Sequence, residues 1–375
     1  MKRNILGGAV LTASVVAGAV AGQLLCTSAA AQAPATRPGG MPVFEADSSW
    51  PKVPPKWKLG DASSIAIDAQ DNVWVLHRPR ALKPDQAGMA APPIVVFDAA
   101  GNFIKAWGGE GSGYEWPQRE HGIHIDYKGY VWLGGNNCPT NGLPLKPVAD
   151  DQLLKFTQDG KFVLQIGRSN QSKGNADMLN LHRPADAWVH PKTNEVFVAD
   201  GYGNRRVVVF DADTGKFKRM WGAFANKPTD DDSCAIRRRE DFTDGDGPDQ
   251  FNVAHAIRVS GDGIVYLADR ENRRVQSFTL DGKFVKQLLV TSMPFARDLA
   301  FSPDPEQRFL YVGGGKGILV VDRKSLQAVG MVQVAGQLGP GHHIQTDSKG
   351  NIYIAQTARG LQKLTFKGMS SGNGQ

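Results

Sequence analysis

The sequence predicts an all-β fold, a six-bladed β-propeller, from three observations: a recurring order of strands, turn residues at fixed places within it, and six copies of the pattern. Each copy has a short apolar strand, a polar turn and an aromatic-containing strand, then a variable loop and a strand pair joined by Asp-Gly or a similar turn. Repeated four-stranded units are typical of propeller blades, because a small sheet buries both faces only when neighbouring sheets stack around a ring.

The copies can be aligned along most of the chain. Their front halves occupy residues 65–76, 123–134, 187–200, 257–269, 299–313 and 344–356. The clearest rear hairpins occupy residues 94–107, 153–166, 207–221 and 275–288. The last copy, residues 342–366, has only three strands. Because residues 56–60 resemble the ends of the outer strands, we expect an N-terminal strand to close the ring.

The first residues predict an export signal. Lys2 and Arg3 precede an apolar run of small residues, and Ala29 to Ala31 offer a cleavage site, so we predict a signal peptide over residues 1–31. A retained membrane anchor is the alternative interpretation. We then predict an extended lead-in with the closing strand at 32–60, the propeller at 61–368 and a tail at 369–375. No later stretch is long and apolar enough to span a bilayer, so no stable membrane insertion is expected after processing.

Composition excludes some classes of partner. The net charge of +6 includes the leader's two cations, and the basic run 237–239 lies beside acidic residues. No basic patch with interleaved aromatic residues is present, so we expect no nucleic-acid partner. Cys138 and Cys234 remain after processing and could pair in an oxidising compartment, but the sequence leaves that open. The oligomeric state is also open.

Histidines recur at one position of alternate repeats. The residues at the head of each innermost strand are Ser63, His121, Ala185, His255, Arg297 and His342. Alternate blades lie about 120° apart in a six-fold ring, so the three imidazoles should converge on the axis as a tripod with an open fourth position, which suits catalytic Zn²⁺. Hydrogen-bonded structural histidines are the alternative. The other five, His77, His124, His182, His190 and His343, are interpreted as structural or as supporting the ligands.

A second register places three polar residues at blade ends. Arg78 and Arg270 lie four residues after the aromatic residue of the second strand, and Tyr202 lies five residues after it. The planar guanidinium of arginine can donate two parallel hydrogen bonds to a carboxylate. A phenol beside a cation and a metal can act as a base. Alternatively, the arginines pair with acids such as Asp269, and Tyr202 packs.

These residues occur in motifs that resemble a known family. His121-Gly-Ile, Ala199-Asp-Gly-Tyr202-Gly-Asn, Val253-Ala-His255 and Ala268-Asp-Arg270-Glu-Asn resemble the blades of peptidyl-α-hydroxyglycine α-amidating lyase, a six-bladed propeller of the NHL-repeat type. The similarity runs over residues 73–366.

The resemblance implies a lyase that releases glyoxylate from an N-linked α-hydroxyglycine and leaves an amide. It implies that His121, His255 and His342 bind zinc, that Tyr202 is the base and Arg270 favours its ionised form, and that Arg78 binds the substrate carboxylate or assists at the hydroxyl. The family's acidic calcium ligand after the last histidine is replaced by His343, so calcium is not expected. The family has a methionine where this chain has Pro340, so the substrate could be a small hydroxyglycine derivative instead of a peptide.

Two other functions fit the same fold. A non-catalytic propeller would bind a protein or another ligand through its loop face and would hold no metal. A metal-dependent hydrolase such as a lactonase would favour carboxylate and Asn ligands around calcium, and no such set occupies the channel register.

Overall fold

The structure, a computed structural model, describes residues 40–370 except 141, 144, 231–233, 235–245, 316, 334–340 and 358. The predicted signal peptide and the residues that follow it up to 39 lie outside the described residues, as do residues 371–375 of the predicted tail. Within the described part of the chain, no helix has the length and apolar character needed to cross a membrane.

The described residues form six four-stranded sheets, which confirms the predicted six-bladed propeller. Strand β1 (Pro42–Asp47) is followed by the first blade, with β2 (Asp61–Ile67), β3 (Val73–Arg78), β4 (Ile94–Phe97) and β5 (Phe103–Trp107). The second blade contains β6 (Glu120–Ile125), β7 (Val131–Gly135), β8 (Leu153–Phe156) and β9 (Phe162–Ile166). The third contains β10 (Asp186–His190), β11 (Glu195–Asp200), β12 (Arg206–Asp211) and β13 (Phe217–Trp221).

The remaining blades follow the same antiparallel order. The fourth contains β14 (Ala254–Val259), β15 (Ile264–Asp269), β16 (Arg274–Thr279) and β17 (Phe284–Leu289). The fifth contains β18 (Asp298–Phe301), β19 (Phe309–Gly313), β20 (Ile318–Asp322) and β21 (Gln327–Val332). The sixth contains β22 (His343–Thr346), β23 (Ile352–Gln356) and β24 (Gly360–Met369), together with β1. Short 3₁₀ helices occur at Pro79–Ala81, Pro84–Met89 and Ala223–Ala225.

An N-terminal strand closes the ring, as predicted. Strand β1 pairs antiparallel with β24, with Phe44 opposite Phe366, and supplies the fourth strand of the sixth blade. Trp50 is buried, and its ring lies against Phe97 of the first blade and Tyr353 of the sixth. The closing strand was expected because residues 56–60 resemble the ends of the outer strands, but it is formed by residues that lie earlier in the chain. Lys58 instead makes backbone hydrogen bonds to residues of the 79–93 insertion.

The core is divided among the contacts between blades. The first strands of consecutive blades contact one another around the ring, from β2 through β6, β10, β14, β18 and β22 back to β2. Each of the six hydrophobic clusters lies between two neighbouring blades. In β3, Val73 and Val75 face the sixth blade, whereas Trp74 and Leu76 face the second. Successive strand residues point to opposite faces, so a strand between two blades must be apolar throughout.

A carboxylate in the first turn ties together the two inner strands of several blades. Asp68 accepts hydrogen bonds from backbone amides of its own turn and, at 2.9 Å, from the indole nitrogen of Trp74. Asp126 makes the same contacts with its turn and with Trp132. These contacts explain why an acidic residue and an aromatic residue recur six positions apart.

The two long insertions lie in connections between strands. Residues 79–93 form two of the 3₁₀ helices and line a cavity of about 470 Å³ with Trp57, Trp116 and Glu120. The 225–251 insertion lies only partly within the described residues, but Cys234 forms a disulfide with Cys138 of the second blade, with Cα atoms 5.7 Å apart. The sequence left this pairing open.

Candidate active site

Three histidines occupy equivalent places around the axis. His121 and His255 lie near the start of β6 and β14, and His342 directly precedes β22. Each Nδ1 lies 2.7 Å from a backbone carbonyl of the next blade, at the equivalent register position: His121 with Ala185, His255 with Arg297 and His342 with Ser63. Since a carbonyl only accepts hydrogen bonds, each Nδ1 carries the proton, and each Nε2 keeps its lone pair.

The three imidazoles meet at one point. Their ring centroids lie 4.7 to 5.0 Å apart, and their ligand nitrogens lie within 4.8 Å of one another. The Nε2 atom of His255 is buried and has no hydrogen-bond partner among the described residues. Burial, and then the charges of neighbouring imidazoles and guanidiniums, hold the pKa of all three histidines well below the usual value. Neutral imidazoles with unprotonated Nε2 atoms are the form that binds a metal ion, so these residues fit zinc.

Tyr202 lies at the edge of this cluster. Its hydroxyl donates a hydrogen bond of 3.0 Å to Nε2 of His121, because that nitrogen carries no proton. Nη1 of Arg270 donates a hydrogen bond of 2.8 Å to the same hydroxyl oxygen, and the guanidinium carbon lies 5.2 Å from the centroid of the Tyr202 ring. The structure therefore brings the predicted base, its predicted cationic partner and a predicted ligand together.

Arg270 is held by an acid other than the one considered from the sequence. Its Nε and Nη2 lie 2.9 and 2.8 Å from a carboxylate oxygen of Glu271. Asp269 instead accepts a hydrogen bond of 2.7 Å from Nε of Arg274, and both of these side chains are fully buried. Arg270 thus has an acidic partner and still contacts Tyr202.

Arg78 also lies near the cluster. It is buried and donates a hydrogen bond of 2.8 Å from Nε to the carbonyl of Glu120, and its Nη1 is 3.9 Å from the carboxylate of Asp61. Burial, and then the charge of Arg119, lower the pKa of Arg78 to about 10, so its side chain stays protonated at neutral pH. Its charge contributes to the low pKa of His121 and His342, which lie nearby.

Buried ion pairs fix the two loops that carry Tyr202 and Arg270. Asp200 lies two residues before Tyr202, accepts a hydrogen bond of 2.9 Å from Nε of Arg206, and also accepts one from the backbone amide of His182. Arg183 donates a hydrogen bond of 2.8 Å to the carbonyl of Tyr202. The Asp269–Arg274 pair plays the same part directly before Arg270. The backbone on both sides of the Tyr202–Arg270 contact is therefore anchored in the core.

Sequence reasoning missed two groups near this site. His343 was interpreted as structural or as supporting the ligands, but one of its ring nitrogens belongs to the same cluster as those of the three predicted histidines. Arg297 was placed on the axis without a role, yet burial and the charge of Arg270 lower its pKa, so it lies close to Arg270. Alignment of the repeats placed Arg297 at the head of an innermost strand, but its proximity to Arg270 became clear only from the side-chain packing.

Comparisons with known proteins find relatives of the chain among amidating enzymes. No protein-family model matches the chain. It is 28% identical over 290 residues to peptidyl-glycine alpha-amidating monooxygenase B of Xenopus laevis, a match that covers 73% of this chain and 29% of the frog protein. It is 26% identical over 242 residues to peptidyl-alpha-hydroxyglycine alpha-amidating lyase 2 of Drosophila melanogaster, covering 60% of this chain and 49% of the fly protein.

Two further matches extend over most of the propeller. Human NHL repeat-containing protein 3 is 24% identical over 338 residues, which cover 86% of this chain and 84% of the human protein. A solved structure of streptogramin B lyase aligns with a TM-score of 0.54 at 13% identity, covering 87% of this chain and 98% of that one, and supports the fold alone. The chain is a six-bladed β-propeller that resembles peptidyl-α-hydroxyglycine α-amidating lyases and NHL-repeat proteins.

Proposed function

We propose that the chain is an exported zinc-dependent carbon–nitrogen lyase that cleaves an N-linked α-hydroxyglycine into an amide and glyoxylate. The observation that carries the proposal is the Tyr202 hydroxyl, which is hydrogen-bonded both to Nε2 of His121 and to the guanidinium of Arg270. A base held beside a cation and a metal-binding nitrogen is what removal of a carbinol proton requires. The name of the fly relative describes the same reaction class.

His121, His255 and His342 would hold the metal through Nε2. Imidazole ligands favour zinc, copper, iron or nickel over calcium or magnesium, and a redox-inactive ion is sufficient for this cleavage. When bound, zinc would polarise the carbinol oxygen as a Lewis acid. The carbonyls that accept from Nδ1 fix the orientation of all three rings before any metal binds.

Tyr202 would move the proton in this reaction. Its ionised oxygen would accept the proton of the carbinol hydroxyl, and the C–N bond would break as the C=O bond forms. The electron pair of the broken bond would pass to the amide nitrogen, which would take the proton back from Tyr202, so that atoms and charges balance. Arg270 would favour the ionised hydroxyl through its hydrogen bond.

A group of cations would receive the substrate carboxylate. The charges of Arg78 and Arg270 act on the imidazoles of the cluster. Two further cations lie close to them, since the charge of Arg119 lowers the pKa of Arg78 and that of Arg270 lowers the pKa of Arg297. A guanidinium fork binds a carboxylate in a fixed orientation, which would hold the α-carbon at the metal. This supports a substrate with a free carboxylate, either a small N-acyl hydroxyglycine or a peptide ending in one.

Export is part of the proposal. The predicted signal peptide indicates it, and the Cys138–Cys234 disulfide suits an oxidising compartment outside the cytoplasm.

Two measurements on the purified wild-type chain test the proposal. We expect about one zinc ion per chain by elemental analysis and equal amounts of glyoxylate and amide from a panel of small and peptidyl N-acyl-α-hydroxyglycines. A folded, metal-free protein that cannot be loaded with zinc would instead support a non-catalytic binding propeller. Zinc without glyoxylate from any member of the panel would refute the lyase activity and leave the metal site, and hydrolysis of lactones would then be assayed next.

A further inference from the structure

A fourth imidazole adjoins the three that the register predicted. The ring centroid of His343 lies 5.4 Å from that of His121, 5.3 Å from that of His255 and 4.8 Å from that of His342. Only 1% of His343 is exposed, and one nitrogen from each of the four rings lies within 4.8 Å of the others. The cluster is therefore a set of four imidazoles around one point.

The two ring nitrogens of His343 have different surroundings. Nδ1 lies 3.4 Å from a carboxylate oxygen of Asp298, whereas Nε2 is buried and has no hydrogen-bond partner among the described residues. A buried polar atom without a partner costs about 1–3 kcal/mol. His124 and His190 share this feature, but of the three rings only that of His343 also has a nitrogen in the four-imidazole cluster, where a metal ion would satisfy it. A metal-binding histidine commonly has one nitrogen directed by a carboxylate or carbonyl and the other left free for the ion. His343 has this arrangement, with a carboxylate in place of the carbonyls beside the other three.

The carboxylate beside His343 is itself held in place. Asp298 accepts a hydrogen bond of 3.0 Å from Nη2 of Arg258 and one of 2.6 Å from the amide of Ile344. Nη1 of Arg258 lies 2.5 Å from Asp186, so one buried guanidinium bridges two buried carboxylates. That guanidinium balances one of the two carboxylate charges and fixes both side chains in place. Asp298 also lies beside Nδ1 of His343 and can therefore orient that ring.

We propose that His343 is a fourth protein ligand of the metal, through Nε2, and that Asp298 and Arg258 position it. This rests on the proposed function only in assuming that His121, His255 and His342 bind the ion. Four imidazoles fill a tetrahedral site, so a substrate oxygen would bind as a fifth ligand, an expansion that zinc permits. The substrate would then have to be held mainly by the surrounding guanidiniums, because it enters a site that already has four protein ligands.

The number of imidazoles can be counted without any mutation. X-ray absorption at the zinc edge of the loaded wild-type chain should fit four imidazole ligands. A fit to three imidazoles would overturn the proposal.

A variant and a matched control give a second test. We expect His343→Gln to weaken zinc binding by more than about 100-fold, since loss of an outer residue that merely orients a ligand already costs about 10- to 100-fold. The visible spectrum of the Co²⁺-loaded variant should also change, because it reports the ligand set. His124→Gln is the control: His124 is buried, has an unpartnered Nε2 and stacks on Trp188 with centroids 4.6 Å apart, but it lies outside the four-imidazole cluster.

The outcomes separate this inference from the proposed function. An unchanged zinc affinity and Co²⁺ spectrum in folded His343→Gln would overturn the fourth ligand, whether or not the wild-type chain releases glyoxylate. Four imidazoles around zinc in a chain that releases no glyoxylate would support the fourth ligand and refute the lyase. If His343→Gln does not fold, the imidazole count in the wild-type chain decides.

Discussion

Arg270 donates a hydrogen bond of 2.8 Å from Nη1 to the hydroxyl of Tyr202. The two residues come from different blades, 68 positions apart in the chain, and each is anchored by a buried acid–arginine pair next to it. The same hydroxyl reaches Nε2 of His121 at 3.0 Å. A phenol placed between a guanidinium and a metal-binding nitrogen suits proton transfer better than packing, and the first two predictions follow from this contact.

Tyr202→Phe should remove glyoxylate release and leave zinc bound. Loss of a positioned acid–base group costs about 10²- to 10⁴-fold in rate, whereas no ligand nitrogen is altered. Turnover and zinc content are measured on the same preparation. Tyr127→Phe, at a surface tyrosine that is 51% exposed, is the control and should retain full activity. Wild-type turnover by Tyr202→Phe would show that another group moves the proton.

Arg270→Gln should lower kcat. The variant removes the hydrogen bond of 2.8 Å to the Tyr202 hydroxyl, so the base is less precisely placed and turnover should fall about 10- to 100-fold. The values of kcat and KM are measured separately, with Arg168→Gln as a control, since the Arg168 side chain is 71% exposed. A raised KM with an unchanged kcat would instead assign Arg270 to the substrate carboxylate.

His255→Ala should lose bound zinc. The variant removes the one ring nitrogen of the three predicted ligands that is buried without a partner among the described residues. Zinc binds the folded state, so added zinc should raise the Tm of the wild-type chain and not that of the variant. His190→Ala is the matched control, because His190 is also buried with an unpartnered Nε2 but lies outside the cluster. Equal zinc content in both variants would contradict the proposed ligand set.

Much of this arrangement is contained in the repeat pattern. Aligning the repeats placed Ser63, Ala185 and Arg297 at the level of the three histidines, and in the structure these are the residues whose carbonyls receive the Nδ1 hydrogen bonds. A register is a property of the backbone, and backbone geometry repeats faithfully from blade to blade. The fold and the convergence of the imidazoles could therefore be predicted from spacing.

Contacts that depend on side-chain direction could not be predicted in this way. His342 and His343 are adjacent in sequence, but their rings are directed to different neighbouring blades. Nδ1 of His342 contacts Ser63 of the first blade, and Nδ1 of His343 contacts Asp298 of the fifth. The repeat register selects one residue per blade, so it assigned only His342 to the cluster. Both rings reach it because they lie at the start of an innermost strand, next to the axis. The position of the closing strand could not be predicted either. Residues 42–47 are not joined by a tight turn to the strand with which they pair, β24, which lies at the other end of the chain.

The Asp200–Arg206 pair should be essential for stability. Both side chains are fully buried, and Arg206 also donates hydrogen bonds to the carbonyls of Asn175, Asp177 and Asn180. Asp200→Asn leaves the guanidinium without its charge partner, and we expect a loss of about 3–5 kcal/mol in the free energy of unfolding. Denaturant unfolding measures it. Asp281→Asn, at the exposed pair with Lys283, is the control and should leave the unfolding curve nearly unchanged.

His77 should make the fold less stable in acid. Its Nδ1 accepts a hydrogen bond of 3.1 Å from the amide of Gly60, and its Nε2 lies 2.9 Å from the carbonyl of Pro92, so the buried ring is neutral. Burial lowers its pKa to about 4, against 6.5 for a free side chain. As the pH falls below 6.5, the unfolded chain takes up a proton before the folded chain does, so stability is complete above this pH and falls progressively towards pH 4, by about 3 kcal/mol in full.

His77→Gln, which can keep the contact with Gly60, should flatten this dependence when unfolding is followed from pH 7.5 to pH 4. His182 provides a comparison of opposite sign. Burial opposes its protonation, but the hydrogen bond to Asp151 raises its pKa above the usual value, so it stabilises the fold below pH 6.5, and that stabilisation is lost as the pH rises. His182→Gln should therefore steepen the acid dependence. Parallel curves for the wild-type chain and His77→Gln would contradict the prediction, because they would mean that His77 takes up its proton at the same pH in the folded and unfolded chains.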